Sequence, residues 1–298
     1  MAAYRLAHFS DLHLARRNRD FYRTLAMLDH AIEQDRVDHL VITGDLLDTP
    51  RPRLFQEFFE LLEDWGWAGA NRLTYVPGNH DMYGYVAPAL RVQDPERDYA
   101  HICGVTASTR RGSGTRRLLA DPATPQRLLP FPFGKRLAPH VALAGLDSTP
   151  ARYGRFWPSP GAGVITQPRL DAVRRFLDER ASCTHRVVVM HHYPFETRFR
   201  WPMFEQNFRE PKPAGVQTWL MAARATLVLC GHVHMHRAAK LGRRCGVLCA
   251  GNSGGHATRR RAVRQYFLVW LPQRGRYRWQ SRAFTAQDLD GMVRRRLD

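Results

Sequence analysis

Lysine is nearly missing from this chain. Lys135, Lys212 and Lys240 are the whole set, and the other 42 of the 45 basic residues are arginine. GC-rich coding would produce that preference. It would not produce the excess over 27 acidic residues, which leaves a formal charge of +18. A field of that sign favours anionic partners and speeds their arrival without identifying them. Long apolar runs are also missing: no stretch approaches the ~20 residues of a membrane-spanning helix, so no membrane partner is expected. The opening stretch, "MAAYRLAHFSDLHL", runs straight into a strand-like pattern with no apolar leader segment, so a soluble, cytoplasmic protein is expected. Cysteine is sparse, and Cys103, Cys183, Cys230, Cys245 and Cys249 are odd in number and scattered, which excludes a disulfide framework. "CGVLC" (245–249) has no second pair to complete a zinc site and reads as core cysteine. Repeats and low-complexity linkers are absent, so one domain over 1–298 is expected.

What is there alternates between short apolar runs and amphipathic stretches. "YRLAHFSD" (4–11), "DHLVITGD" (38–45) and "RLTYVPGN" (72–79) read as strands. Helical spacing separates them at 20–35, with Asp20 as a candidate N-cap, and at 53–65. This β-α-β-α-β order predicts sheets with helices on their faces. Residues 94–140 break the pattern with Arg110, Arg111, Arg116, Arg117 and several prolines, and read as a basic irregular excursion with one strand near Ile102. Order returns with strands at 140–149, 187–192 and 226–232, helices at 167–181 and 214–224, and short strands through "GVLCAGN", "YFLVWLP" and "RYRWQSRAF". The final "RRRLD" reads as a solvated tail.

Each apolar run ends in metal-ligand chemistry. The first gives Asp11 and His13, the second Asp45 and Asp48, the third Asn79, His80 and Asp81, and later ones His191, then His232 and His234. Singly, each has an ordinary explanation: Asp45 after Gly44 is a common turn residue, and Asn79 could cap a turn. As a set they sit where open α/β sheets bind ligands, outside the carboxyl ends of the strands. Two carboxylates, an amide oxygen and four imidazoles from among them are already too many for one ion and suit two. Without a thiolate, that donor mix suits Mn, Fe or Zn.

D11-x-H13, G44-D45-x-x-D48, G78-N79-H80-D81, H191 and G231-H232-x-H234 together resemble the signature of the calcineurin-like metallophosphoesterases. "AGLDST" (144–149), "QPRLDAVRRFLDER" (167–180), "MHHYPF" (190–195) and "LCGHVH" (229–234) resemble the class III cyclic-nucleotide phosphodiesterases within them. The resemblance implies a two-sheet α/β sandwich, with mixed sheets flanked by helices. It implies two divalent or mixed-valence ions, one held by Asp11, His13, Asp45 and His234, the other by Asp45, Asn79, His191 and His232, with Asp45 as the bridge. His80 would meet the substrate, oriented by Asp48, and a metal-bridging hydroxide would cleave a small anionic phosphodiester. The related lipid A pathway pyrophosphatases usually carry Arg where this chain has His80. His192, Arg259 and Arg260 are further candidates for substrate contact. Two alternatives remain open: a nuclease of the same superfamily, which the basic surface favours, and a non-catalytic metal-binding scaffold, against which the intact ligand set argues.

Overall fold

A computed structural model describes residues 2–82, 124, 131–149, 162–196, 208–251, 253–254 and 263–297. The expected strand near Ile102, the arginines at 110, 111, 116 and 117, and Arg259 and Arg260 lie outside the described residues.

Two sheets face each other. The first runs β1 (Tyr4–Phe9), β2 (His39–Thr43) and β3 (Leu73–Val76) in parallel, and continues antiparallel through β12 (Arg264–Leu271) and β13 (Arg278–Phe284). The strand order is β13-β12-β1-β2-β3. The second has the order β10-β11-β9-β7-β5-β4. Its parallel centre is β5 (Val141–Gly145), β7 (His185–Val189), β9 (Leu227–Cys230) and β11 (Cys245–Ala250). Antiparallel edges are supplied by β4 (Phe133–Ala138) and β10 (His236–Leu241). A two-stranded ribbon pairs β6 (Gly163–Val164) with β8 (Phe208–Glu210).

The strand pattern explains the layers. A buried strand points alternate side chains to opposite faces. Leu6 and Val41 meet Val187, Leu229 and Phe267 in a core between the sheets. Ala7 and Phe9 point the other way, onto α1 (Arg19–Glu33) and α2 (Pro52–Asp64). The second sheet's outer face packs on α4 (Gln167–Asp178) and α5 (Pro213–Ala222). The result is the helix-flanked two-sheet sandwich that the sequence implied.

Three local expectations change. The N-cap of α1 is Asn18, whose side chain accepts from the amides of Asp20 and Phe21; Asp20 lies inside the first turn. The last part of the expected excursion is strand β4. Lys135 within it is buried and donates to Leu73 O and Thr74 Oγ1 of the other sheet, and burial pushes its pKa well down. The chain's end, read as a solvated tail, is helical to Leu297, with Arg294 exposed: α6 (Ala286–Leu297) opens with Thr285 and Asp288 capping each other's amides. It docks on α1 through the Arg23–Asp290 ion pair at 2.8 Å and buried Leu289.

Candidate metal centre

The parallel strands of both sheets end at one edge, and the polar residues follow those ends. The loops after β1 and β2 run side by side: the amides of Asp11, His13 and Leu14 donate to the carbonyls of Gly44, Asp45 and Leu46 at 2.8–3.0 Å. Seven non-glycine residues among those described have left-handed backbones, and five of them are Asp11, His13, Asp45, His232 and His234. That conformation costs an ordinary residue on the order of 1–3 kcal/mol and persists where surrounding structure imposes it, often at functional sites. The close packing beneath is visible at Gly78. A Cβ there would collide with the Asp45 carboxylate and amide, so only glycine lets the third loop approach the second.

Two groups of donors meet on Asp45. In the first, His13 Nε2 is 3.0 Å from His234 Nε2, 4.0 Å from Asp11 Oδ1 and 3.7 Å from Asp45 Oδ2, and His234 Nε2 is 3.4 Å from Asp11 Oδ1. These four residues can offer one ligand atom each, all within 4.8 Å of one another. In the second, His191 Nε2 lies 3.4 Å from Asp45 Oδ2 and 3.1 Å from Asn79 Oδ1, and His232 Nδ1 is also 3.1 Å from Asn79 Oδ1. This second group is organised around Asn79 as much as around Asp45.

The hydrogen bonds show what the groups suit. His191 Nδ1 sits 2.7 Å from Thr43 O, so that nitrogen carries a proton, and Nε2 faces Asp45 and Asn79, where a bound cation would take the place of its second proton. Asp45 Oδ1 accepts from the amide of His80 at 2.8 Å. Asp45 Oδ2 is buried with no hydrogen-bond partner, between His13 and His191. An orphaned carboxylate oxygen facing two imidazole nitrogens is costly unless a proton or cation comes between them. The residues therefore fit divalent cations on both sides of Asp45, and N and O donors without sulfur are suitable ligands.

Electrostatics agree. Burial alone would raise the Asp45 carboxyl, but His191, with His80 and His13, holds it well below the usual carboxylate range. Burial alone would lower His191, but the Asp45 charge and contact, helped by Asp11 and Thr43 O, lift it to about 9. The site draws positive charge to that point. Burial and the neighbouring His191 push His232 down to about 3, which keeps it a neutral donor.

His80 lies on a one-turn helix, α3 (Asn79–Met82), with its ring 4.7 Å from that of His13. Its Nδ1 is 3.0 Å from the main-chain oxygen of Asp48, so the resolved hydrogen bond between the two runs through the backbone. The Asp48 carboxylate lies 3.7 Å from His13 Nδ1, and His13, Asp48 and His80 form a second close group of potential donors. His192 is fully buried; its Nδ1 lies 2.8 Å from Ser148 Oγ, and its ring lies 4.5 Å from that of His232, tilted by 46°. Asp81 accepts from the amides of Leu47 and Gly78 and from the Tyr75 hydroxyl, tying the second and third loops together. Burial and the charge of Asp45 raise its carboxyl to about 6. Sequence reasoning did not single out Ser148, or Ser253, whose Oγ accepts from the Ser10 amide. Ser148 lies within the "AGLDST" stretch, which carried the resemblance without marking the serine, and Ser253 lies outside every quoted motif. The His234 side chain is 43% exposed while those of Asp11, His13 and Asp45 are 1% exposed, so the centre opens to solvent on the His234 side.

Among the described residues no helix is long and apolar enough to cross a membrane. The sequence model of the family described as "Calcineurin-like phosphoesterase" matches residues 4–236, a span that contains all seven proposed ligands. No curated protein sequence matches the chain. Among solved structures it is similar to a dimetal phosphatase from Danio rerio, at 13% identity and a TM-score of 0.56, over 96% of this chain and 100% of that one. It is similar also to GAP50, the anchor in the inner membrane complex of Plasmodium, at 11% identity and a TM-score of 0.54, over 96% and 86% of the two chains. At such identities the likeness shows the fold alone. With the family match over most of the chain, the motif residues gathered at one edge and a donor set fit for cations, the chain belongs to the calcineurin-like phosphoesterases, hydrolases of phosphoesters that use divalent metals.

Proposed function

We propose that the protein is a dinuclear-metal phosphodiesterase acting on cyclic nucleotides or other small nucleotide diesters. The observation that carries this reading is Asp45 Oδ2, a buried carboxylate oxygen without a hydrogen bond between the His13 and His191 groups. Asp11, His13, Asp45 and His234 would hold one ion, and Asp45, Asn79, His191 and His232 the other, drawn from Mn, Fe or Zn. When bound, such a pair activates water and neutralises the phosphoryl oxygens.

The chain's own residues do the rest. His80, anchored through Nδ1–H to Asp48 O, would in its doubly protonated form give the Nε2 proton to the leaving oxygen as the P–O bond breaks, a proton made good by the one the attacking water loses. Water's oxygen ends on phosphorus, leaving a monoester and a free hydroxyl, on one molecule when the substrate is cyclic and on two when it is linear. Asp48 orients His80 through its carbonyl and adds negative charge beside His13. His192 props His232. The buried free thiols of Cys183, Cys230, Cys245 and Cys249 suit the reducing cytoplasm in which we place the protein.

The fold is shared with a protein described as an anchor, so it does not itself imply catalysis. The complete donor set is what favours an enzyme. The +18 charge keeps a nuclease as the second reading. One Mn²⁺-loaded preparation assayed on a cyclic nucleotide, a linear aryl diester and single-stranded DNA separates the readings. We expect turnover of the small diesters, with a KM that changes little with salt. Efficient DNA cleavage with affinity falling by about 0.7 log units per neutralised phosphate, per log unit of salt, makes it a nuclease. Hydrolysis of none makes it a scaffold.

A further inference from the structure

The loops that carry His13 and Asp48 do not stop at the metal centre. Their continuations form a cleft of about 800 Å³ lined by Arg16, Arg17, Arg51 and Arg53, with Gln56 and Glu57 on one wall. Arg16 is three residues past His13 and Arg51 three past Asp48, so each backbone lies within about 10 Å of that residue even if fully extended. The two loops run in parallel here: Leu14 bridges Leu47, and the Asp48 amide donates to Leu14 O at 3.2 Å. The cleft is therefore tied to the centre by short stretches of chain on both sides, although none of the seven proposed ligands lines it.

The four arginines are exposed, and among the described residues none makes an ion pair. Arg17 donates through Nε to the Tyr22 hydroxyl at 3.0 Å, and Arg51 through Nε to Thr49 Oγ1 at 3.2 Å. Those bonds orient each guanidinium without neutralising it. Among the described residues Glu57 is the single acidic one in the lining. The first turn of α2 opens into the same cleft with no side-chain cap, so its amides add to the positive end. Four guanidinium groups are poorly matched to a substrate whose one phosphate is already held at the metals. They match a second phosphate, which arginine binds through paired hydrogen bonds.

We infer that this arginine-lined cleft is a subsite for a second phosphate on the same small substrate: a nucleotide diester whose scissile phosphate meets the metals while a terminal phosphate lies among Arg16, Arg17, Arg51 and Arg53. This rests on the phosphodiesterase reading and narrows its substrate class.

The test compares a dinucleotide having one internal diester with the same dinucleotide bearing an added 5′- or 3′-terminal phosphate. One of the phosphorylated forms should have a KM about tenfold lower, the worth of one charge-assisted contact, with kcat little changed. In Arg16→Ala/Arg51→Ala the ratio of the two KM values should collapse toward one. Arg243→Ala, on the exposed turn between β10 and β11, should retain it and so exclude a general effect of charge. Equilibrium titration with the phosphorylated dinucleotide supplies a reading independent of turnover, and the double variant should bind it about tenfold more weakly than the wild type. If the wild type cleaves neither dinucleotide nor an aryl diester, the phosphodiesterase reading fails, while the titration still decides the cleft. Equal KM values for all forms, a ratio or affinity unmoved by the double variant, or preference for a long single strand over the phosphorylated dinucleotide would each overturn the inference.

Discussion

The two sheets contribute unlike halves to one centre. The five-stranded sheet brings every carboxylate and the amide, through Asp11, Asp45, Asp48 and Asn79, with His13 and His80 beside them. The six-stranded sheet brings only imidazoles, through His191, His192, His232 and His234. One half supplies the negative charge and the other imidazoles, of which His232 is held neutral by its surroundings while the Asp45 charge raises His191. Neither half closes a site alone. Their meeting depends on the apolar layer between the sheets, in which Leu6, Val41, Val187 and Leu229 are fully buried. The difference teaches that affinity for cations should reside mainly in the first half, and its geometry in the second.

Asp45→Ala should break that division most severely. It removes the one carboxylate that both donor groups touch. Both ions should be lost and turnover should fall about a thousandfold or more, given the several kcal/mol that bound metals supply. Elemental analysis beside kinetics checks it, and full metal content in the variant would sink the shared role of Asp45. His80→Ala should retain both ions yet lose about 10²–10⁴-fold in rate with poor alkoxide leaving groups. Activated aryl leaving groups, which need no proton, should suffer far less. Equal losses for the two would put His80 on the phosphoryl oxygens instead.

Loss of a donor from one group should be milder and one-sided. Asn79→Ala removes the oxygen shared by His191 and His232, so it should deplete mainly one ion and leave the Asp11–His13–Asp45–His234 group loaded. Metal analysis showing about one ion per chain is the expected result, and loss of both would mean that the groups are not separable. The smallest effect concerns the join between the sheets. Burial lowers His236 to about 4, and burial with the nearby His236 lowers His8 to about 3; both rings stack on Phe267. Unfolded histidine titrates near 6.5, so the unfolded chain binds more protons between that pH and about 4. Their contribution is therefore whole above pH 6.5 and is lost as the pH falls. Denaturant unfolding at several pH values should show a shallower acid slope in His236→Gln than in the wild type. An unchanged slope would locate the acid sensitivity elsewhere.

Much of the fold and the site is legible in the order of residues along the chain. Short apolar runs ending in Asp, Asn and His predict parallel strands with ligands at their carboxyl ends, and the sheets have that form. The reciprocal cap of Thr285 and Asp288 is also present in the sequence as T-x-x-D, but the arginines that follow read as a solvated tail. Asn18 and Asp20 are both good caps. Only the path of the chain decides which one faces the helix amides. Strand β4 is hidden because its buried Lys135 disguises an inward-facing position, and a lysine is tolerated there because Leu73 O and Thr74 Oγ1 accept from it.

By itself, the sequence determined which groups are available and in what order, because ligand chemistry belongs to side chains and strand ends follow from local apolar patterning. The tertiary structure alone decided how they meet. Asp11 and His232 are 221 residues apart, and the His232 amide reaches the Asp11 carboxylate at 3.0–3.1 Å because two separate sheets are pressed together by their shared apolar layer. The left-handed turns that aim Asp11, His13, Asp45, His232 and His234 were equally hidden. Aspartate and histidine tolerate that conformation better than most residues, but nothing local selects it, and it is imposed by packing from outside each segment.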